Sequence, residues 1–453
     1  MKKYNNKTLT LPYAAILIGA FFFQVTAFGQ QVINQTQINL DSQMKTATIN
    51  KISKLLNDNY VFPETAKKME TFIKSQLNSS AYDNISDPGE FSQKLTADLQ
   101  SISRDKHLRV AFNPETAKRL KEIERQPGNN GDEKLFIEMM KKENYGFKEV
   151  KILNGNIGYI DFRNFAPSKF SKETVASVMN FVSGTDALIF DIRQNGGGDP
   201  DGVRLICSYL FGKEPVHLND IYMRRDDNTD EYWTLGRVDG KKMPEVPVYV
   251  LTSSYTFSGA EEFAYDLKNQ KRATIVGETT GGGANPGGSK YVNENFVMFV
   301  PEGRAISPVT KTNWEGTGVS PDIEISSTKA LDKAQILALQ KISEKVPDAG
   351  QKKHFDWLIE SLQSAMDASA PDNTAMTSYS GTYGERMITI ENGNLYYQRK
   401  GRQKFLMTSM SHDTFMFREL DYFRLRFEKD ANGNVTGLTG IYDDGHTDNS
   451  PKN

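Results

Sequence analysis

The sequence predicts an α/β (α+β) protein, with a partly parallel sheet at its core, a helical domain before it and a small antiparallel β domain after it. Three observations carry this. From about Val150 to Lys345, near-continuous apolar runs of strand length alternate with helical stretches, the pattern of a sheet covered by helices. Before that region apolar residues recur at helical spacing, and after Ser378 short alternating strands are divided by turn residues. At 453 residues the chain exceeds the usual size of one hydrophobic core, so several domains are expected.

Residues 1–29 read as a secretory signal. Lys2, Lys3 and Lys7 precede an apolar run from Leu11 to Phe23, and small residues follow at Ala27 and Gly29, placing cleavage near Gly29–Gln30. The run is short for a membrane span and no later stretch is apolar enough for one. Export to the periplasm or the medium, with no membrane span after signal removal, is the expectation. Cleavage removes three lysines and no acid, so the formal charge of −2 becomes −5. A mildly acidic chain without a basic stripe argues against nucleic acid as a partner. The single Cys207, in the apolar run Val203 to Phe211, has no partner for an internal disulfide and is expected to be buried.

Residues 30–113 are expected to form the helical domain, through Ile52, Leu55, Leu56, Phe72, Ile73 and Leu77. It ends in the loop Ser103–His107 and a strand carrying Leu108, Val110 and Phe112. Residues 114–149, rich in Lys and Glu, read as linker helices, with a turn at Pro127–Gly131. The α/β domain spans 150–345. Its strands are expected at Ile157–Phe162, Ala187–Ile192, Val246–Leu251, Thr274–Val276 and Phe296–Val300. A helical linker over 346–377 leads to the β domain of 378–453, where Glu391-Asn392-Gly393 signals a hairpin.

The sequence offers little to a metal or cofactor, and none is expected. Only five histidines occur, with no His-Glu-x-x-His or paired-Cys spacing. Asp430–Asn434 lacks the glycine and downstream Glu of a calcium loop, and Asp443-Asp444-Gly445-His446 reads as an exposed turn.

Ser258 stands out. A buried strand, Val246–Leu251, runs into a short loop, and a helix opens directly after Ser258 in Thr256-Phe257-Ser258-Gly259-Ala260-Glu261. A hydroxyl there faces unpaired N–H groups and the positive end of the helix dipole, which stabilise a developing oxyanion. The same spacing, Ser258-x-x-Glu261, also matches a capping box in which Ser merely satisfies the helix end.

Three further segments accompany it in order: Asp191-Ile192-Arg193-Gln194-Asn195-Gly196-Gly197-Gly198, Val276–Gly283, and Asn313-Trp314-Glu315-Gly316-Thr317-Gly318-Val319-Ser320-Pro321-Asp322. Taken together they resemble the catalytic domain of the tail-specific or C-terminal-processing serine proteases, peptidase family S41. That family includes the tricorn core and the interphotoreceptor retinoid-binding protein repeats. The resemblance implies an exported serine endopeptidase with a polypeptide substrate and Ser258 as nucleophile.

In the family's Ser–Lys branch a lysine about 25 residues after the serine is the base, but Gly283 stands there in this sequence. The tricorn-like branch instead implies His107 as general base and Glu315 as its orienting partner. Hydrolysis should then fall as the imidazole protonates, at about pH 6–7 in an ordinary environment. Lys271 and Lys290 remain as alternative bases, should folding bring either to the serine. The oxyanion donors implied are the N–H groups of Gly259 and of Gly197 in the Gly-rich turn. Only about 35 residues separate Phe112 from Phe147, too few for the PDZ domain usually inserted there. Two other readings use the same fold: a non-catalytic binding protein for an apolar ligand or peptide, and an esterase using the same triad.

Overall fold

The computed structural model describes residues 40–125, 131–367, 373–411 and 413–453. The expected signal segment, most of the turn at 127–131 and the linker at 371–372 lie outside the described residues. Among those described, no helix is long and apolar enough to cross a membrane.

Helices α1 (Ser42–Asn59), α2 (Pro63–Asn78) and α3 (Pro88–Ser103) open the described chain. Asp41 and Asp87 start α1 and α3 by accepting the N–H groups of Met44 and Glu90, each at 2.7 Å, and Pro88 supplies a preset first residue. Arg104, left-handed at φ 59°, ends α3 and turns the chain into the Asp105–Leu108 loop and strand β1 (Arg109–Phe112).

The chain continues through α4 (Pro114–Arg125), α5 (Gly131–Lys142), β2 (Phe147–Leu153), β3 (Ile157–Phe162), α6 (Ser168–Phe181), β4 (Ala187–Asp191) and α7 (Pro200–Leu210). After β5 (His217–Met223) and β6 (Asn228–Trp233) come β7 (Val248–Thr252), α8 (Gly259–Asn269) and β8 (Thr274–Gly277). Strands β9 (Gly287–Tyr291), β10 (Phe296–Pro301), β11 (Gly303–Ile306) and β12 (Ile323–Glu324) complete this part.

The central sheet has the order β12-β8-β7-β4-β3-β2, and β7–β8 and β8–β12 are parallel. All five residues of β4 and of β7 are buried, which is why both read as unbroken apolar runs. The run at 296–300 belongs elsewhere. As β10 it joins β1 and β9 in a separate antiparallel sheet, with Val110 opposite Met298. Phe296, Met298 and Val300 thereby share a core with Ile49, Ile52, Met69, Ile73, Phe91 and Leu99, and Phe91 meets Phe296 edge-on at 5.8 Å. The N-terminal helices thus share a core with the strands of this unit rather than standing as a separate body.

Two compact units result. The first takes in the described residues up to Lys151 together with Tyr159–Thr185 and Phe190–Ser327; the second takes in Ile152–Gly158, Asp186–Ile189 and Thr328–Asn453. The helix Ala330–Ser343, expected to close the α/β domain, therefore falls in the second unit, where it packs along the helix Ala349–Asp367. The remainder of that unit is a four-stranded and a five-stranded antiparallel sheet. Their core holds Tyr379, Tyr383, Phe415, Phe423 and Phe427. Asn392 and Gly393, at φ 50° and 74°, make the expected hairpin turn. The Asp430 side chain accepts the N–H groups of Asn432 and Asn434 in another turn, and Asp443–His446 joins two adjacent strands.

Candidate active site

The loop between β7 and α8 is pinned to the Gly-rich turn that follows β4. Ser253 Oγ donates to the Arg193 carbonyl at 2.5 Å, Thr256 Oγ1 to that of Ile192 at 2.9 Å, and the Phe257 N–H to that of Asn195 at 3.1 Å. So held, the chain reverses sharply and Ser258 takes φ 55°, ψ −123°. That conformation is strained for a residue with a Cβ, and it lifts the side chain out of a strand-to-helix elbow. The capping box is present: Glu261 accepts the Ser258 N–H at 2.8 Å, and the Ser258 side chain stands at the Glu261 N–H. That contact engages a lone pair and leaves the hydroxyl proton free to be taken by a base.

Glu261 does more than the sequence suggested. Fully buried, its carboxylate accepts the Ser258 and Gly283 N–H groups on one oxygen and the Gly282 N–H and Thr280 hydroxyl on the other. It ties the loop of residues 280–283 beneath the Ser258 elbow. Burial pushes its carboxyl above the usual range, and these four donors oppose that shift. Glu261→Gln should cost about 3 kcal/mol, because either orientation of the amide turns its NH2 toward two donors. A urea-unfolding change below about 0.5 kcal/mol would show that the network is dispensable.

Gly197 and Gly198, at φ 109° and 141°, pass against the start of α8. A Cβ on Gly197 would lie 2.8 Å from the Gly259 nitrogen, and one on Gly259 would lie 3.0 Å from the Gly198 nitrogen. The turn is held by Asn195, whose side chain donates to the Phe162 carbonyl at 3.1 Å and accepts the Gly197 N–H at 2.9 Å. The Gly197 N–H is therefore already engaged. The N–H groups of Gly198 and Gly259 make no hydrogen bond among the described residues.

His107 lies nine-tenths buried, its ring 4.6 Å from that of Phe257 and 5.8 Å from that of Phe299, centroid to centroid. Two carboxylates approach it. One atom from each of Asp105, His107 and Glu315 lies within 4.8 Å of the others, and Asp105 Oδ1 is 4.0 Å from His107 Nδ1. Asp105 is committed, accepting the backbone N–H of His107, the Tyr60 hydroxyl and the Asn285 amide. Glu315 accepts the Ala284 N–H at 2.6 Å through Oε2, while its Oε1 and the Nδ1 of His107 are both buried without a partner. Both atoms belong to the three residues whose donor atoms converge. Burial lowers His107 to about 4 and, with the Asp105 charge nearby, raises Glu315 to about 8; burial also raises Asp105. No hydrogen bond joins the His107 ring to Ser258 among the described residues.

Gly283 explains why the ring fits. A Cβ there would lie 2.3 Å from Phe257 Cζ and 2.7 Å from His107 Cε1, so a lysine at this position and His107 in this place exclude each other. Lys290 and Lys271 are poorly poised as bases. Lys290 Nζ pairs with Glu302 at 2.8 Å, and Lys271 follows the far end of α8, about 16 Å of helix from Ser258. Cys207 is buried, and its thiol is pushed up by burial and by the charges of Asp266 and Glu262. Asp105 was missed in the sequence although it lies two residues from His107, because a loop acid so close to a turn has many ordinary uses. The roles of Glu261 and Asn195 depend on contacts across the fold.

Residues 156–325 match Peptidase family S41, and residues 34–146 match the N-terminal domain of Peptidase S41 in eukaryotic IRBP. The chain thus carries a Peptidase family S41 domain preceded by an S41 N-terminal domain. The S41 segment holds the Gly-rich turn, the Ser258 elbow and Glu315, and the N-terminal segment holds His107. Among curated relatives, the carboxy-terminal-processing protease of Bartonella bacilliformis is 26% identical over 184 residues, 39% of this chain and 41% of that one. The chloroplastic carboxyl-terminal-processing peptidase 2 of Arabidopsis thaliana is 27% identical over 169 residues, 37% of this chain and 31% of that one. The chain therefore spans less than half the length of these relatives. The photosystem II D1 C-terminal processing protease superposes with a TM-score of 0.40 at 15% identity, over 62% of this chain and 93% of that one.

Proposed function

We propose that this S41 chain is an exported serine endopeptidase working through Ser258, His107 and Glu315. The observation that carries the reading is the tight fit of the His107 ring against Gly283, where a lysine base would otherwise stand. Ser258 Oγ attacks the peptide carbonyl as His107 takes its proton. Glu315 accepts a hydrogen bond from the Nδ1–H, which stays on the ring, and stabilises the imidazolium that forms. The oxyanion is held by the N–H groups of Gly259 and Gly198. Gly198 replaces Gly197 as the second donor because Asn195 already occupies the Gly197 N–H. The leaving amine is protonated by His107, and water then hydrolyses the acyl-enzyme by the same route. Processing-protease relatives and the family match support a polypeptide substrate, and the N-terminal 29 residues support export.

A fluorophosphonate probe tests the reading directly. It should label wild type at a single residue that mass spectrometry assigns to Ser258, and failure to label would favour a binding protein without an activated serine.

The pH profile offers a second check. Because burial disfavours both charged forms, His107 and Glu315 hold one carboxyl proton near neutrality and release it toward pH 8. The anion that stabilises imidazolium is complete only above that point. The rate should therefore still be rising on the alkaline side of an ordinary imidazole's value of about 6.5, and Glu315→Gln should lack that rise. A wild-type profile flat from about pH 6 to pH 9 would contradict this coupling.

A further inference from the structure

The proposed triad leaves one feature of the site unexplained, namely the second carboxylate beside His107. Three donor atoms of different residues converge within 4.8 Å, and two of these residues also carry a buried atom without a partner, Nδ1 of His107 and Oε1 of Glu315. We propose that Asp105, His107 and Glu315 form a reversible zinc site through which the ion switches the peptidase off. The binding claim stands on geometry alone, while the inhibition rests on the catalytic reading above.

The donor set selects the ion. One imidazole nitrogen with two carboxylate oxygens suits a borderline divalent ion such as zinc. Calcium prefers six to eight oxygens, and soft ions prefer sulfur. With bonds of about 2.0–2.2 Å, tetrahedral ligand atoms stand about 3.4 Å apart, so a separation of at most 4.8 Å closes by shifts of about 1 Å. Two of the ligands are already braced. Tyr60 and Asn285 hold Asp105, and Phe257 and Phe299 flank the His107 ring. Glu315 Oε1 has no bond to give up. The fourth position is left for water. An ion bound to Nδ1 takes the place of the proton whose hydrogen bond Glu315 accepts, so the imidazolium of the catalytic cycle has no means of forming.

Other histidines offer less. His217 has Asp220 at 2.6 Å and His354 has Asp443 at 3.1 Å, each a two-ligand pair among the described residues. The sequence could not show the site, because Glu315 lies more than two hundred residues from Asp105 and His107.

The test uses the full chain. Calorimetric titration with zinc chloride should give one site in wild type and in Ser258→Ala alike, no comparable site with calcium chloride, and at least tenfold weaker zinc binding in Asp105→Asn and His107→Gln. X-ray absorption at the zinc edge of the wild-type complex needs no variant, and should show nitrogen and oxygen neighbours with one imidazole. Sulfur in that shell would place the ion at Cys207 and overturn the proposal, as would undiminished binding in a folded His107→Gln protein or the absence of binding to wild type. Protein freed of metal by a chelator should hydrolyse substrate and lose at least tenfold in rate at saturating zinc. An unchanged rate overturns the switch, whereas chelated protein that is inactive from the start counts against the peptidase reading instead.

Discussion

Ser258→Ala should abolish hydrolysis of an unfolded protein substrate, lowering kcat by at least about a thousandfold, while the fold is kept. The oxygen removed is the attacking atom, and the fold asks no more of it than one capping contact at the start of α8. The remaining Cβ still occupies φ 55°, so the strain of the elbow persists in the alanine variant. Ser258→Gly removes it. That variant should be equally inactive but as stable as wild type or more so, by about 1 kcal/mol, because glycine accepts this conformation at no steric cost. A glycine variant clearly less stable than the alanine one would mean that the elbow is not strained. Residual hydrolysis above a few per cent of wild type in either would remove Ser258 from the chemistry.

The buried strands β4 and β7 were readable because their side chains are apolar on both faces, and periodicity reports burial. The same signal misplaced β10. A run of buried residues announces a strand but not its sheet, and β10 is buried by the N-terminal helices through Phe91 and Phe296. The expected boundary near residue 345 and the division of the compact units after Ser327 differ for a related reason, since helical spacing in Ala330–Ser343 does not say which neighbour the helix packs on. At the site, local chemistry was legible and mutual geometry was not. Ser258 at a helix start could be seen, but whether its hydroxyl capped the helix depended on where Glu261 pointed. Gly197 was chosen from a run of three glycines whose N–H groups look alike, and only the Asn195 side chain distinguishes it from Gly198. Asp105 and Glu315 meet at His107 only because β1 pairs with β10 and the chain then returns through Ala284 and Asn285.

Glu315→Gln should lower kcat by about a thousandfold or more with little change in KM, because the imidazole would be held in the wrong tautomer. The carboxylate has two distinct tasks. Oε2 accepts the Ala284 N–H at 2.6 Å, and Oε1, which is buried without a partner, is left to serve the equally unpartnered His107 Nδ1. A glutamine meets the first task by turning its carbonyl oxygen to Ala284, which leaves its NH2 toward His107. Nδ1 must then accept a hydrogen bond, so the proton moves to Nε2, the atom that should receive the serine's proton. The opposite orientation restores an acceptor at Nδ1 but sets NH2 against the Ala284 N–H, an arrangement costing about 1–3 kcal/mol. His107→Gln removes the base itself and should be at least as damaging, whereas Lys271→Ala and Lys290→Ala should retain hydrolysis. If Glu315→Gln instead keeps kcat within about twofold while Asp105→Asn loses it, Asp105 at 4.0 Å is the carboxylate that orients the ring. Loss of activity in either lysine variant, with His107→Gln unaffected, would replace the triad with a Ser–Lys dyad.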